Sequence, residues 1–168
     1  MNRRHFLALS SALVARQTLA DQPRLKIAQI GTAHAHAGGK MTSLRQLSDL
    51  WDVVGIVEPD AAKAGATRES SIYRGLELLD ESALLNRQDV SAIAVETKIE
   101  DSCATALRCI QAGKHVHLDK PGALNHAEFK TMRHEAEQRG LTVQMGYMLR
   151  YNPAFELLFK AVREGWLG

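Results

Sequence analysis

The sequence is poor in cysteine, and the two cysteines that it has are not placed to form a disulfide. Cys103 and Cys109 are the only ones among 168 residues. Six residues apart on one helix, they would lie about 9 Å apart along the helix axis and some 240° apart around it. They cannot bridge within that helix. We therefore predict that both are small, buried hydrophobic residues.

The chain also lacks a long hydrophobic run and a surplus of charge. The apolar stretch at residues 6–15 is ten residues long, whereas a membrane-spanning helix needs about 20. The net charge is +2, but beyond residue 20 the chain has 18 basic and 19 acidic residues. No basic patch is interleaved with aromatic residues. We therefore predict neither a stable membrane span nor a nucleic-acid partner.

The first 20 residues are typical of a targeting signal. Arg3 and Arg4 precede the apolar stretch, and residues 18–20 supply a plausible cleavage site. This pattern resembles a twin-arginine signal, the route that exports proteins already folded. We expect residues 1–20 to be a signal peptide and the protein to be exported to the periplasm. An ordinary secretory signal and an amphipathic N-terminal helix are the alternatives.

From residue 24 onward, predicted strands alternate with predicted helices. Apolar runs predict strands at 25–30, 52–57, 91–95, 115–118 and 141–145, and a weak strand at 72–73. Helical patterns separate them, and the one at 100–112 places Ala104, Leu107 and Ile110 on one face. Strands separated by helical stretches of this kind predict an α/β fold with a Rossmann-like, doubly wound parallel sheet.

Capping residues predict the last two helices. Asn125, with Glu128 three residues later, is arranged as a capping box. Asn152 followed by proline is typical of a helix start. Four apolar residues of this last helix are predicted to form its buried face, Phe155, Leu158, Phe159 and Val162. We assign residues 24–150 to a dinucleotide-binding domain and residues 151–168 to a linker helix.

The turn after the first strand is the candidate phosphate-binding turn. The three positions of the glycine fingerprint are Gly31, Ala33 and His36, so only the first is a glycine. Ala33 is small enough for close approach of a ligand, whereas His36 departs from the pattern. Polar filling of the loop is the alternative role for His34 and His36. Because no carboxylate or cysteine lies nearby in sequence, we predict no metal site.

Glu58 ends the second strand, where an acid can accept hydrogen bonds from the adenosine ribose hydroxyls. A carboxylate about 4 Å from a 2′-phosphate would cost ~4 kcal/mol at an effective dielectric near 20. Asp60 adds negative charge, and no arginine follows directly. We therefore predict that NAD is preferred over NADP. The alternative is that Glu58 only occupies a polar strand exit.

The segment Asp119-Lys120-Pro121 follows the strand at 115–118. Proline has no N–H to donate and stops further strand pairing. The segment therefore brings the Lys120 ammonium to the carboxyl end of the strand, where open α/β sheets bind their ligands. An ordinary charged residue at a strand end is the alternative.

Together, these motifs resemble the Gfo/Idh/MocA oxidoreductases. The resemblance covers nearly all of residues 24–168 and rests on the Gly31 turn and on residues 58–60, 112–121, 145–155 and 164–168. It implies an NAD(P)-dependent dehydrogenase that acts on sugars, inositols or related polyols.

The resemblance also implies roles for single residues. Lys120 corresponds to the catalytic lysine that contacts the substrate hydroxyl and the nicotinamide, where an ammonium would stabilise alkoxide character. Tyr147 and Arg150 would lie on the substrate side, with an exposed linker arginine as the alternative for Arg150. The predicted cofactor-binding residues are Gly31, Ala33, His34, Glu58, Thr97, Asp119, Lys120 and Pro121.

Some positions depart from the family pattern. Asp119 stands where the family usually has glutamate, and Ser102 stands where a histidine is expected. Thr97 matches the family's threonine, but Lys98 and Ile99 replace the proline and asparagine that usually follow it. These changes affect the expected contacts on the nicotinamide side.

Family members have a second α/β domain that supplies an Asp and a His as the acid–base pair. We expect this chain to be truncated before that domain and inactive alone, and any homo-oligomer to form through that domain. The favoured function is the NAD-binding part of an exported sugar or polyol dehydrogenase. Two alternatives stay open: a non-catalytic, stand-alone nucleotide-binding domain that docks to a partner, and a family member that retains NAD and cleaves a glycosidic bond by elimination.

Overall fold

Five strands form where the strong apolar runs predict them in the computed structural model, which describes residues 23–167. The predicted signal peptide lies outside the described residues. The strands are β1 (Leu25–Ile30), β2 (Trp51–Val57), β3 (Ala92–Val95), β4 (His115–Leu118) and β5 (Val143–Met145). They form one sheet in the order β2-β1-β3-β4-β5, and every neighbouring pair is parallel. The predicted doubly wound parallel sheet is confirmed.

Six α-helices are found among the described residues. They are α1 (Ala37–Gln46), α2 (Ala64–Glu69), α3 (Glu81–Asn86), α4 (Ile99–Gln111), α5 (His126–Gln138) and α6 (Pro153–Arg163), and a short 3-10 helix at Met148–Tyr151 precedes α6. Both predicted caps are confirmed. The Glu128 N–H donates to the Asn125 side chain at 3.0 Å, and the Ala154 N–H donates to the Asn152 side chain at 3.0 Å.

The weak strand predicted at 72–73 is wrong. These residues lie in a turn, where Tyr73 is buried beside Met41 and Ile56 in a small apolar cluster and Ile72 is exposed. Backbone pairing with the sheet occurs further along the chain, where Leu78 forms an isolated parallel bridge with Ile56. If this bridge is counted as a rudimentary strand outside β2, the sheet has the strand order of the Rossmann fold.

The face of α4 also differs from the prediction. Ala104 is exposed and Leu107 only half-buried, whereas Cys103, Ala106 and Cys109 are buried in the core. The helix packs against both the sheet and α5, so its buried stripe is wider than the predicted one. Both cysteines are unbridged and buried, as predicted. Burial raises the pKa of the Cys109 thiol to about 12, which makes it an inert core residue.

The predicted buried face of the last helix is wrong. Phe155, Leu158, Phe159 and Val162 are 36%, 45%, 57% and 59% exposed, and Ala161 is the buried residue of α6. Within residues 23–167, α6 packs mainly on the short 3-10 helix before it, so its apolar stripe has no sheet to cover it. No helix in this part of the chain has the length and hydrophobicity that crossing a membrane would need.

Strand register places the candidate site residues in one row. The last paired residues of the five strands lie side by side across the sheet, Val57, Ile30, Val95, Leu118 and Met145. The residues that follow them therefore also lie side by side, Glu58, Gly31, Glu96, Asp119 and Gly146. We call these five residues the carboxyl-edge row. In doubly wound sheets, ligands bind at this edge, where the strand order reverses; here that point lies between β1 and β3.

Candidate functional site

Gly31 occupies the centre of the carboxyl-edge row and requires glycine. Its φ of +90° lies in the left-handed region, and a Cβ there would lie 2.8 Å from the Glu96 carbonyl oxygen and from the Thr97 backbone. The glycine thus allows the end of β1 to lie directly against the end of β3. The chain then turns through residues 32–36, and α1 begins at Ala37.

On one side of Gly31, the turn borders a cavity of about 570 Å³. Four of the predicted cofactor-binding residues line it: Gly31, Ala33, Glu58 and Thr97. Residues 59–63 after β2 and the first turns of α4 complete its wall. We call it the Glu58 cavity. Its size lies within the range of small-molecule and cofactor sites.

The Glu58 carboxylate is held in a fixed orientation at this cavity. The Thr32 hydroxyl donates a hydrogen bond to Oε2, and the Asp60 N–H donates to Oε1 at 3.0 Å. An ionised carboxylate has about four acceptor positions, so two stay open toward the cavity. A ligand with vicinal hydroxyls has the donors that this arrangement lacks.

The charges around the Glu58 cavity are balanced, which the sequence did not indicate. The lining includes the acids Glu58, Asp60 and Asp101 and the bases Lys63, Lys98 and Arg108. The Arg108 guanidinium is bound to the Glu81 carboxylate, with Nε 2.6 Å from Oε1. Lys63 and Lys98 therefore bring positive charge to the cavity wall, although no arginine follows Glu58 in sequence.

On the other side of Gly31, the turn covers the ends of β3 and β4. Here five side chains come together, which we call the Asp119 cluster: His34, His36, Glu96, His117 and Asp119. The His36 Nδ1 lies 3.1 Å and 3.2 Å from the two Asp119 carboxylate oxygens. The predicted residues His34, Asp119 and Lys120 are thus brought into direct contact.

The backbone of Lys120 is held by this cluster. Its N–H donates to Asp119 Oδ1 at 2.7 Å, and its carbonyl oxygen lies 3.1 Å from His34 Nε2. Burial alone would raise the pKa of Asp119, but the hydrogen bonds from the Lys120 N–H and His36 hold that pKa below its ordinary value. The Asp119 carboxylate is therefore ionised at neutral pH.

Glu96 is the site residue that the sequence reasoning missed. Its side chain is fully buried, and neither carboxylate oxygen has a hydrogen-bond partner among the described residues. Burial, followed by the nearby Asp119 charge, raises the pKa of Glu96 to about 7. A signal was present in the sequence, because Glu58, Glu96 and Asp119 are each the first residue after a strand.

His34 and His36 do more than fill a loop. The prediction of no metal site was argued only from their neighbours in sequence, and Asp119 is 83 residues from His36. The fold brings this carboxylate to the imidazoles. His117, on β4, adds a buried Nε2 that has no hydrogen-bond partner in the described chain.

Lys120, Pro121, Tyr147 and Arg150 lie at the surface. The Lys120–Pro121 peptide bond is cis, and both residues are exposed. The Arg150 guanidinium lies 5.7 Å from the centre of the Tyr147 ring. Neither Tyr147 nor Arg150 lines the Glu58 cavity. Tyr147 follows Gly146, where an added Cβ would lie 3.0 Å from the Asp119 carboxylate, so Tyr147 lies on the Asp119 side.

The chain is similar in sequence to a family of known proteins. The model of the oxidoreductase family GFO_IDH_MocA, described as an NAD-binding Rossmann fold, matches residues 25–147. The chain is 27% identical over 118 residues to 4-carboxy-2-hydroxymuconate-6-semialdehyde dehydrogenase of Sphingobium sp., covering 69% of this chain and 36% of that protein. It is 27% identical over 119 residues to inositol 2-dehydrogenase of Salmonella typhimurium, covering 70% and 35%.

A solved structure shows the same fold. The 3-ketoreductase KijD10 of Actinomadura kijaniata, solved with TDP-benzene and NADP, superposes with a TM-score of 0.73 at 24% identity. The superposition covers 85% of this chain and 44% of that one. The chain thus spans less than half the length of each of these three proteins, and it matches the part that carries the sheet.

Proposed function

The chain belongs to the Gfo/Idh/MocA oxidoreductase family, and on that premise we propose that it is the cofactor-binding part of a dehydrogenase. The proposed reaction is hydride transfer between a nicotinamide cofactor and a hydroxyl or carbonyl group of a sugar or polyol. The observation that carries this proposal is the carboxyl-edge row, which places the Glu58 cavity and the Asp119-Lys120 segment on opposite sides of Gly31 at one edge of the sheet.

The Glu58 cavity suits the adenosine half of a dinucleotide. Glu58 would accept hydrogen bonds from the ribose hydroxyls, and the Gly31 turn would lie against the pyrophosphate. His36 at the third fingerprint position is compatible with this arrangement because its ring points to Asp119, away from the cavity lining. The proposed cofactor-binding residues on this side are Gly31, Ala33, Glu58 and Thr97.

We further propose that NAD is preferred over NADP. The support is local, because the Glu58 carboxylate is held by Thr32 and Asp60 at the position where the ribose hydroxyls would bind. A 2′-phosphate in this position would lie beside a carboxylate that cannot turn away without losing two hydrogen bonds. The relative KijD10 was solved with NADP, so the preference must be measured in this chain.

Lys120 is the proposed catalytic residue. When bound, the nicotinamide supplies the hydride chemistry. The chain supplies the exposed side chain of Lys120, whose backbone N–H and carbonyl oxygen contact Asp119 and His34. Such an ammonium would stabilise negative charge on the substrate oxygen as hydride leaves the carbon. Tyr147 and Arg150 are proposed to contact the substrate, and the acid–base pair would come from a second domain, as in the family.

The names of two relatives support a proposal for the substrate class. One relative is an inositol dehydrogenase and another a semialdehyde dehydrogenase, so a polyhydroxylated or carbonyl-containing small molecule is the proposed substrate.

We also propose export by the twin-arginine route, based on Arg3 and Arg4. The test of export is replacement of both arginines by lysine in a reporter fusion, which should keep the reporter in the cytoplasm.

The cofactor proposal is tested by titrating the chain with NADH and NADPH and following the nicotinamide fluorescence. We expect saturable NADH binding and NADPH binding at least tenfold weaker. Glu58→Gln should weaken NADH binding about tenfold, the loss of one charge-assisted hydrogen bond, and should reduce the discrimination against NADPH. The matched control is Glu69→Gln, on the exposed side of α2, which should change neither affinity.

No saturation with either dinucleotide at millimolar concentration would contradict the proposal. Glu58 would then be an ordinary polar residue at the end of a strand. A non-catalytic domain that docks to a partner would be the better hypothesis. Equal affinities for NADH and NADPH in the parent chain would refute only the NAD preference.

A further inference from the structure

We propose that the Asp119 cluster binds one divalent transition-metal ion of the Zn²⁺ class. The ligands would be imidazole nitrogens of His34 and His36 and the Asp119 carboxylate, whose ligand atoms lie within 4.8 Å of one another, with the Glu96 carboxylate beside His34 as the fourth. This site goes beyond the proposed dehydrogenase function, which assigns no metal ion to the Asp119 cluster.

The spacing of the ligand atoms suits such an ion. The His36 Nδ1 lies 3.1 Å from Asp119 Oδ2, and the His34 Nδ1 lies 3.4 Å from Glu96 Oε2 and 3.9 Å from Asp119 Oδ2. Zinc–nitrogen and zinc–oxygen bonds of about 2.1 Å in tetrahedral geometry place ligand atoms ~3.4 Å apart. The three distances in the cluster therefore lie within ~0.5 Å of the spacing that such an ion requires.

The hydrogen bonds of His34 orient it for this role. Its Nε2 lies 3.1 Å from the Lys120 carbonyl oxygen, an acceptor only, so Nε2 carries the proton and Nδ1 is left with a lone pair. Metal-binding histidines almost always donate their outer N–H to a carbonyl or carboxylate in this way. The present partner of Nδ1 is the His36 N–H at 3.2 Å, a long hydrogen bond that metal ligation would replace.

His117 shows a similar arrangement. Its Nδ1 lies 3.4 Å from the Gln144 side-chain oxygen, and its Nε2 is buried without a partner in the described chain. His117, Glu96 and Asp119 together offer ligand atoms within 4.8 Å of one another, as do His34, His36 and Asp119. Asp119 belongs to both sets and is therefore the central ligand.

Glu96 supplies the independent observation. Its carboxylate is fully buried, and neither of its oxygens has a hydrogen bond within residues 23–167. A buried carboxylate without partners is costly, and such groups are usually paired or bind a metal. Its nearest neighbours, His34 Nδ1 and the Asp119 carboxylate, are themselves acceptors, so a cation between them is what the cluster lacks. A single proton would satisfy one oxygen of Glu96 and leave the other unpaired.

The donor set selects the class of ion. Imidazole with carboxylate favours Zn²⁺ and neighbouring transition metals, whereas Ca²⁺ and Mg²⁺ prefer oxygen ligands only. Asp119 is 4% exposed and the His36 side chain 29% exposed, so the ion would enter from the His36 side. Bound there, it would join the Gly31 turn to the end of β4 and fix the backbone that carries Lys120.

The experiment uses the whole chain, freed of metal with a chelator and then titrated with Co²⁺ and Zn²⁺. We expect one equivalent of Co²⁺ to bind, with the visible absorption of a nitrogen- and oxygen-ligated ion, and Zn²⁺ to displace it. His36→Gln and Glu96→Gln should each weaken binding at least a hundredfold, because loss of an outer partner alone costs ten- to a hundredfold. His36 is partly exposed, so its variant provides the test if Glu96→Gln does not fold.

The matched control is the double variant His126→Gln/His134→Gln, which removes two exposed histidines of α5 and should leave one equivalent bound. The proposal is overturned if the parent chain binds no Co²⁺ stoichiometrically, or if the α5 double variant loses binding while His36→Gln keeps it. NADH affinity is measured in the same metal-free sample. NADH binding without metal binding refutes only the metal site, and metal binding without NADH binding refutes only the cofactor proposal.

Discussion

The two sides of Gly31 are built from the same row of residues but differ in burial. On one side, Glu58 is half-buried beside an open cavity, and its carboxylate keeps free acceptor positions. On the other side, Glu96 and Asp119 are buried beneath the Gly31 turn and surrounded by imidazoles. An acid directly after a strand is thus accessible to a ligand where the turn leaves it open, and part of an internal polar cluster where the turn covers it.

The largest expected effect comes from Gly31→Ala, which disturbs both sides at once. The alanine would have to adopt a φ of +90°, and its Cβ would lie 2.8 Å from backbone atoms of Glu96 and Thr97. Backbone strain and overpacking each cost about 1–3 kcal/mol, so we expect urea denaturation to show a loss of ~3 kcal/mol or more in the free energy of unfolding. The control Gly39→Ala, in α1 with no atom within 4 Å of the new Cβ, should leave stability equal or slightly higher.

Removing the charge of one carboxylate on each side of Gly31 should change the free energy of unfolding by different amounts. In the metal-free chain, Asp119→Asn should lower the free energy of unfolding by ~2 kcal/mol, because the buried carboxylate accepts hydrogen bonds from the Lys120 N–H and His36. Glu58→Gln should change it by less than ~0.5 kcal/mol, as is usual near the surface. Asp49→Asn, on an exposed residue after α1, is the control. Equal losses in the free energy of unfolding for Asp119→Asn and Glu58→Gln would contradict the difference in burial between the two carboxylates.

A smaller effect is expected from Gly146→Ala, which reaches the Asp119 side alone. The added Cβ would lie 3.0 Å from the Asp119 carboxylate and 3.2 Å from its Cα. Overpacking of this kind costs about 1–2 kcal/mol, and Co²⁺ affinity should fall while NADH affinity stays within threefold. Gly65→Ala, with open space around the new Cβ, is the matched control. A larger loss of NADH affinity than of Co²⁺ affinity would mean that the two sides are not separate.

The smallest effect on the isolated chain is expected from Lys120→Ala. The side chain is exposed, so stability should change by less than ~0.5 kcal/mol, and NADH affinity should change little because the Glu58 cavity is untouched. In a longer, active form of the protein, the same variant should abolish turnover. Full activity of that variant would remove Lys120 from the mechanism.

The sequence predicted the parts of the molecule that depend on local rules. Apolar runs located the five strands, and Asn125 and Asn152 marked helix starts, because caps and strand runs act over a few residues. Gly31 and Glu58 were proposed as site residues because a dinucleotide turn and its acid occupy fixed places after the first two strands, and both residues line one cavity. The role of Asp119 and Lys120 came from the family resemblance.

The remaining features depend on contacts between distant segments. The position of Glu96 directly after a strand was a signal in the sequence, but its burial and its contact with His117 depend on the register of β3 and β4 beneath the Gly31 turn. The helical spacing of Phe155 and Phe159 correctly indicates an amphipathic helix, but spacing does not say whether a surface lies opposite. Tyr73 is buried in an apolar cluster with Met41 although the backbone there turns, and Ile72 is exposed.

The most direct test of cofactor binding at this edge is an amide chemical-shift map of the ¹⁵N-labelled chain titrated with NAD⁺. We predict shifts concentrated at residues 31–34, 58–61, 97–98 and 119–121, and none on the outer face of α5. Shifts confined to the opposite edge of the sheet, around the loops before β1 and β4, would contradict the proposed cofactor site.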